Sequence, residues 1–295
     1  MRYFIKIFVL IAILFTSSQF VMGEEPIRVI VIGAHPDDCD ILAGGIAALY
    51  SQMGHKVKFV SLTNGNKGHH LMKPDELAAR RKREMKEAGR ILNIEYDNLD
   101  NNDGELAPSL ENRKAVIKLI CDWEADIVIT HRPNDYHPDH RYTSVIVQDA
   151  AYMISVPLMY PNGKPLAKTP VFLYLPDPFQ KPNPFSPDIV VDITSVARKK
   201  AEAMCAHESQ LFEWLPWIEK WEDKLPSGDA EKREFVSNFF LSEYSGIDKF
   251  LKPALNWYTF DQLRNAHYVE AFEICEYSYI PNKEEIKKLF PMLPK

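Results

Sequence analysis

The sequence predicts an α/β fold in which helices flank a mostly parallel sheet and a C-terminal extension packs on it. The run IRVIVIG at 27–33 is β-branched and apolar throughout, which is typical of a strand covered on both faces. Similar short runs alternate with longer segments of helical spacing. A strand–helix–strand order implies right-handed crossovers between parallel strands. The predicted sheet is therefore Rossmann-like.

The N-terminal half of the chain contains most of this alternation. Residues 39–53 have helical spacing and end at Gly54, and VKFVSLT at 57–63 is the second predicted strand. The segment 74–94 begins with proline and acidic residues, which favour a helix N-terminus. Further helices are predicted at 111–125 and 137–154, and a further strand at 126–131.

The C-terminal half is less regular. Residues 156–188 are rich in proline and must be largely loop, interrupted by VFLYL. We predict a strand at 189–194, a long helix at 195–215, and an aromatic-rich tail whose segment 269–279 packs back onto the sheet. With no internal repeat, residues 24–295 are predicted to form one domain, with its core at about 27–200 and an extension at 201–295.

The first 23 residues have the layout of a secretory signal peptide. MRYFIK is short and basic, IFVLIAILF is an apolar core too short for a typical membrane span, and smaller residues lead to Gly23. We therefore expect cleavage near this point and export to the periplasm or the exterior, with no stable membrane insertion afterwards. An uncleaved anchor is the alternative.

Charge and cysteine content exclude some functions. The net charge of −6 argues against nucleic acid and anionic membranes as partners. The four cysteines are widely spaced without a CxxC pair, so neither a zinc ribbon nor a thioredoxin-like site is indicated. Buried free thiols are expected at all four positions, with disulfides as the alternative; these are Cys39, Cys121, Cys205 and Cys275.

The chemistry is predicted at the carboxyl ends of the strands, where ligands bind in open parallel sheets. His35, Asp37 and Asp38 follow the first strand in the stretch VIGAHPDDCDILAGG. This stretch lacks GxGxxG, and its paired carboxylates would repel a pyrophosphate, which excludes a nucleotide cofactor.

A second HPD triplet, residues 137–139, follows another predicted strand and is followed at once by His140. Histidine and carboxylate are ligands that zinc prefers, and three protein ligands leave a fourth position for water. We predict a His₂Asp zinc site made by His35, Asp38 and His140, with Fe²⁺ as the alternative metal.

These residues resemble the signature motifs of the PIG-L/LmbE-like zinc-dependent de-N-acetylases. The two motifs are AHPDD at 34–38 and HPDH at 137–140, and the resemblance runs from about residue 27 to 150. Less specific matches are LTNG at 62–65, Arg81-x-x-Glu84, Asp103-Gly104, AHESQ at 206–210 and EAF at 270–272.

The resemblance implies roles for individual residues. Asp37 would be the general base that takes a proton from the metal-bound water, and His137 would stabilise the oxyanion or protonate the leaving amine as an imidazolium. Arg81 and Asp103 would bind sugar or phosphate hydroxyls. His207 would either contact substrate or pack in the core.

One departure from the family pattern concerns residues 39 and 40. The family usually reads AHPDDE, whereas this chain has Cys39-Asp40. Either Asp40 replaces the support that the family glutamate gives, or Cys39 modifies the site.

Aromatic and histidine pairs elsewhere are open to two interpretations. His69-His70 either lines the pocket or lies on a surface loop. Trp214, Trp217 and Trp221 have helical spacing, which favours a core position over a sugar platform. His131 is a candidate partner of a metal ligand.

The predicted function is an exported zinc-dependent hydrolase that removes acetyl from an N-acetylated amino sugar of the N-acetylglucosamine type. The alternatives are an N-acyl or ester hydrolase acting on a non-sugar substrate, and a catalytically weak carbohydrate-binding relative. The expected partner is a small-molecule or glycan substrate, and the sequence leaves the oligomeric state open.

Overall fold

A computed structural model describes residues 25–160 and 163–294. The predicted signal peptide lies outside the described residues. Within them, strands and helices alternate through the first half in this order: β1 Arg28–Gly33, α1 Asp38–Gln52, β2 Lys56–Thr63, α2 Pro74–Leu92, β3 Glu95–Asn101, α3 Leu110–Trp123, β4 Ile127–Thr130 and α4 Pro138–Met153.

The second half contains shorter elements: β5 Val171–Tyr174, β6 Ile189–Asp192, α5 Ala197–Met204, a π-helix Ser209–Trp214, α6 Leu215–Ile218, α7 Asp229–Ser245, α8 Ile247–Ala254, α9 Phe260–Leu263, β7 Val269–Ile274 and α10 Lys283–Leu289. No helix in the described residues is long and apolar enough to cross a membrane.

The strands form a sheet in the order β3-β2-β1-β4-β5-β7-β6. The first five pair in parallel, as predicted, whereas β7 is antiparallel to both β5 and β6. The tail therefore enters the sheet and does not only pack on it. An α/β fold with a mostly parallel sheet is confirmed.

Apolar side chains fill both faces of the sheet. Alternate residues of β1, such as Val31 and Ile32, belong to separate clusters: one with α1 and α2, the other with α3 and α4. All four cysteines are buried and unpaired, as the sequence favours. Cys39 is fully buried in the cluster with α1, so its thiol is part of the core.

Two glycines allow α1 to pack closely on its surroundings. A Cβ on Gly33 would lie 2.9 Å from the Asp38 Cβ, which is closer than real Cβ contacts. Residue 33 must therefore lack a side chain for Asp38 to pack against the end of β1. A Cβ on Gly45 would lie 2.6 Å from the Ile193 side chain. These contacts hold α1 close to the sheet, at whose carboxyl edge the functional site is predicted.

The predicted helix at 195–215 is interrupted. Helix α5 ends at Met204, and residues 205–208 separate it from the π-helix. The cause is non-local: Glu84 of α2 accepts hydrogen bonds from the Ser209 amide (2.9 Å) and hydroxyl (2.6 Å), and Asp40 of α1 contacts His207 at 2.9 Å.

Candidate active site

The loops after β1 and β4 meet at the carboxyl edge of the sheet. His35 Nδ1 lies 3.2 Å from His140 Nε2 and 3.6 Å from Asp38 Oδ2, and His140 Nε2 lies 3.5 Å from Asp38 Oδ1. The three residues predicted as metal ligands are therefore brought together, although they are 105 positions apart at the extremes.

These separations fit a metal ion. Ligand atoms bound tetrahedrally at about 2.1 Å from zinc lie about 3.4 Å from one another. Two imidazole nitrogens at 3.2 Å also need a shared proton or a cation between them, because their lone pairs repel. The donor set and its spacing thus suit a borderline cation such as zinc.

Each candidate histidine ligand has a carboxylate at its other nitrogen. His140 Nδ1 lies 3.1 Å from Asp135 Oδ2. His35 Nε2 lies 3.3 Å from Asp103 Oδ1 and 3.4 Å from Asp139 Oδ2. Such carboxylates fix the tautomer and ring orientation of metal-binding histidines. The arrangement leaves His35 Nδ1 and His140 Nε2 free for the cation.

Asp38 is oriented by the backbone and by His131. Its Oδ2 accepts hydrogen bonds from the amides of Ala34 (2.9 Å) and His35 (2.7 Å), and lies 3.1 Å from His131 Nε2. His131 is thus placed as the predicted partner of a ligand. It forms an alternative ligand group with Asp38 and His140, and His137 forms another with His35 and His140. We favour His35 over His131, because His35 has the carboxylates at its far nitrogen.

Electrostatics at the site favour bound positive charge. Burial disfavours the imidazolium of His35, but hydrogen bonds with Asp103 and Asp139 and the charge of Asp38 outweigh it and raise the pKa of His35 to about 10. Burial opposes ionisation of Asp38, yet His140 and His131 hold its pKa well below the usual range. The carboxylates that favour the protonated form of His35 would equally favour a metal cation at this place.

Asp37, the predicted general base, is buried and forms an ion pair with Arg81. The distance between Arg81 Nη2 and Asp37 Oδ1 is 2.9 Å. Arg81 is only 2% exposed, so it approaches the site from the protein interior and fixes the position of the Asp37 carboxylate. The predicted contact of Arg81 with substrate hydroxyls stays a prediction.

His137 caps α4. Its Nδ1 accepts a hydrogen bond from the Asp139 amide at 3.1 Å, so in the neutral ring the proton sits on Nε2. Burial, together with the charges of His35 and His140, lowers the pKa of His137. The Asp139 contact and the lowered pKa favour a neutral imidazole that donates from Nε2 over the predicted imidazolium.

Two predicted substrate-binding residues have other contacts. Asp103 is 7% exposed; burial opposes its ionisation, but its contact with His35 lowers its pKa to about 2. His207 is completely buried at 2.9 Å from Asp40 Oδ2. A substrate contact by His207 does not fit this burial. Asp40 binds His207, which agrees with its predicted supporting role.

The sequence interpretation missed two carboxylates. Asp135 and Asp139 both contact candidate ligands, and Asp139 also accepts hydrogen bonds from the amides of Gly104 (2.6 Å) and Leu106 (3.3 Å). Asp139 lies inside the HPDH motif and Asp135 two residues before it. Their acidic side chains, in and beside the HPDH motif, could have indicated that they contact the histidine ligands.

Comparison with known proteins agrees with this geometry. The PIG-L profile, described as GlcNAc-PI de-N-acetylase, matches residues 30–151. The diacetylchitobiose deacetylase of Thermococcus kodakarensis is 32% identical over 207 residues, which is 65% of this chain and 74% of the relative. This chain belongs to the PIG-L family. The predicted amide-hydrolase class is thereby confirmed at the level of the family.

Solved structures place this PIG-L family member in the same fold. The N,N′-diacetylchitobiose deacetylase from Pyrococcus horikoshii superposes with a TM-score of 0.64 at 25% identity, covering 88% of this chain and 89% of that one. A relative from Pseudomonas putida, 4-oxalmesaconate hydratase, is 24% identical over 205 residues, covering 67% of this chain and 79% of the relative. Related chains therefore include a hydratase as well as deacetylases.

Proposed function

We propose that the protein is an exported zinc-dependent de-N-acetylase that acts on N-acetylated amino sugars. The observation that carries the proposal is the convergence of His35 Nδ1, His140 Nε2 and the Asp38 carboxylate, at separations of 3.2 to 3.6 Å. Membership of the PIG-L family and the names of the deacetylase relatives support the reaction and the substrate class.

Zinc held by His35, Asp38 and His140 would supply an acidified water and polarise the amide carbonyl. Asp37 would accept a proton from water and return it to the departing nitrogen as the C–N bond breaks. Because Arg81 binds Oδ1, we assign the transfer to Oδ2 of Asp37. His137 donates a hydrogen bond from Nε2 to the carbonyl oxygen as negative charge develops on it. The products are acetate and a free amine.

The test is acetate release from N-acetylglucosamine and its β-linked oligosaccharides. We expect activity to disappear when zinc is removed with a chelator and to return on addition of zinc. Zinc should be bound at about one ion per chain. Activity that persists in fully metal-free protein would contradict the proposal. Hydration of 4-oxalmesaconate, without acetate release, would point to the hydratase reaction of the Pseudomonas relative.

Export is supported by the predicted signal peptide. When the full chain is expressed in a bacterial host, the exported protein should begin near Glu24. Retention of an intact N-terminus on cytoplasmic protein would contradict this part of the proposal without affecting the chemistry.

A further inference from the structure

The two sides of the candidate metal site differ in chemistry. His35 Nδ1 and His140 Nε2 face each other at 3.2 Å, so the far nitrogens of the two rings point away from this centre in different directions. His35 Nε2 leads to Asp103. The His140 ring leads instead to Asp135 and Tyr136. An amide bound at the centre therefore has a different environment for each of its two substituents.

The side beyond His35 is polar. A Cβ on Gly68 would lie 3.3 Å from Gln210 Oε1. It would lie 3.5 Å from both Arg81 Nη1 and Asp103 Oδ2. Because Gly68 has no side chain, these three polar atoms converge on the space in front of its Cα. An amide oxygen, a guanidinium group and a carboxylate suit a ligand with hydroxyls, which is the sugar part of the proposed substrate.

The side beyond His140 is aromatic. The Tyr136 ring lies 5.7 Å from the rings of both His137 and His140, between centroids, and meets them at 85° and 71°. Phe179, on the loop between β5 and β6, packs on the Tyr136 ring at 6.3 Å. We call Tyr136 and Phe179 the aromatic wall. This wall stands directly beside His137, which is proposed to bind the carbonyl oxygen, and it suits an apolar substituent.

Phe179 is held in place by a buried arginine. Asp177 accepts a hydrogen bond from the Phe179 amide on Oδ1 and another from Arg132 Nη1 on Oδ2, both at 2.9 Å. Arg132 is 6% exposed and also donates from Nη2 to the Asn183 carbonyl at 2.8 Å. The loop that contains Phe179 is thus tied at two points to the end of β4. The aromatic wall is therefore in place before a ligand arrives.

We propose that Phe179 is a specificity-determining residue that, together with Tyr136, restricts the acyl group of the substrate to the size of acetyl. The inference rests on the proposed function, because it concerns the acyl half of the same substrate. With its carbonyl oxygen at His137, the amide directs its sugar toward the polar side and its methyl group toward the aromatic wall. A longer acyl chain has to displace the Tyr136 ring, which Phe179 supports.

The experiment measures kcat/KM on glucosamine that is N-acylated with an acetyl, a butanoyl or a hexanoyl group. We expect the wild type to lose about tenfold or more from acetyl to butanoyl, since one methylene in an apolar pocket changes kcat/KM by about 10- to 200-fold. Phe179→Ala should raise the butanoyl value about tenfold and change the acetyl value less than about threefold. Phe260→Ala, a 70% exposed aromatic on α9, is the matched control and should leave the profile unchanged.

Asp177→Asn tests the same wall without removing a ring. It removes the charge that binds Arg132 but keeps the Phe179 side chain. The butanoyl value should rise by a smaller factor, about threefold, because a charge-assisted hydrogen bond is replaced by a weaker neutral one. A loss of the same size on all three substrates, in this variant and in Phe179→Ala, would show that the loop only supports the fold and would overturn the proposal.

An unchanged acyl profile in Phe179→Ala would also overturn the proposal. If the wild type releases no carboxylic acid from any of the three substrates, the proposed function fails by itself. Calorimetric binding of acetate and hexanoate in the presence of zinc then tests the aromatic wall separately. Hexanoate should bind Phe179→Ala about tenfold more tightly than it binds the wild type, while acetate binds both alike. Equal hexanoate affinities would overturn the assignment of Phe179.

Discussion

The loops after β1 and β4 contain the same triplet, His-Pro-Asp, but its members have different contacts in the two loops. In the first loop the histidine, His35, is a candidate ligand and Asp37 pairs with Arg81. In the second, His137 caps a helix and Asp139 accepts backbone amides. The difference shows that position relative to the helix start, and not the triplet itself, decides the role of each side chain.

Exposure differs between the loops as well. His35 and Asp37 are buried, whereas His137 and His140 are half-buried and the neighbouring Tyr136 is 72% exposed. The first loop therefore forms the floor of the site, and the second forms the side that faces solvent. A substrate must approach over the second loop.

The largest effect is expected from removing the ligand that the second loop contributes. His140→Ala should abolish stoichiometric zinc and lower acetate release by about a thousandfold or more, because several kcal/mol of charge stabilisation are lost. Metal analysis and an acetate assay measure both. His267→Ala, an exposed histidine, should retain zinc and activity. Full zinc occupancy in the His140 variant would contradict the assigned ligand set.

The two HPD aspartates provide the sharpest test of the comparison. Asp37→Asn should lower kcat by roughly 10²–10⁴ while zinc is retained, because the proposed general base is lost. Asp139→Asn should instead lower the free energy of unfolding by about 1–3 kcal/mol, since two backbone donors lose a charged acceptor. It should lower activity only through weaker zinc binding at its neighbour His35, so excess zinc should restore activity.

Kinetics and thermal unfolding of both variants distinguish these outcomes. A loss of kcat in the Asp139 variant that excess zinc does not restore, without a stability defect, would mean that the two aspartates are equivalent, and the comparison of the loops would fail.

A smaller effect is expected at Asp135. Asp135→Asn removes the charge beside His140 Nδ1 but keeps a hydrogen-bonding side chain of the same shape. Zinc affinity should fall about 10- to 100-fold, the usual range for partners of metal ligands. Competition with a chromogenic chelator measures it. Unchanged affinity would show that His140 needs no carboxylate partner.

The smallest effect is expected on the pH dependence of folding stability, and it concerns His207. Burial disfavours the charged form of His207, but Asp40 outweighs it and raises the pKa of His207 above its usual 6.5. The pair therefore stabilises the fold fully below pH about 6.5, and this stability is lost as pH rises through the raised value.

His207→Gln keeps a hydrogen-bonding side chain but does not titrate. Denaturant unfolding at pH 6 and pH 9 should show that the wild type loses more stability than this variant over the interval. Parallel stability curves would indicate that His207 is neutral at both pH values.

Much of the fold and of the site follows from local sequence. The buried runs of β1, β2 and β4 predict parallel strands, and the polar residues at their ends predict a shared edge. His35, Asp38 and His140 could be predicted because metal chemistry restricts the residue types and parallel topology brings strand ends together.

Other features depend on contacts that no local pattern contains. The break at 205–208 exists because Asp40 and Glu84, from other helices, bind His207 and Ser209. The resemblance implies a substrate contact for Arg81, whereas only the fold reveals its ion pair with Asp37. The stacking of His70 on Trp217 likewise joins two segments more than 140 residues apart, so neither segment alone indicates it.

The position of β7 also determines when the chain can finish folding. Strand β6 pairs only with β7 within the described residues, and β7 lies at 269–274, near the end of the sequence. Until residues 269–274 leave the ribosome, β6 has no neighbour among the described residues and one side of the sheet stays unfinished. Strand β6 must therefore wait for about 80 further residues to be synthesised before it can pair, so this edge of the sheet is completed after the parallel half.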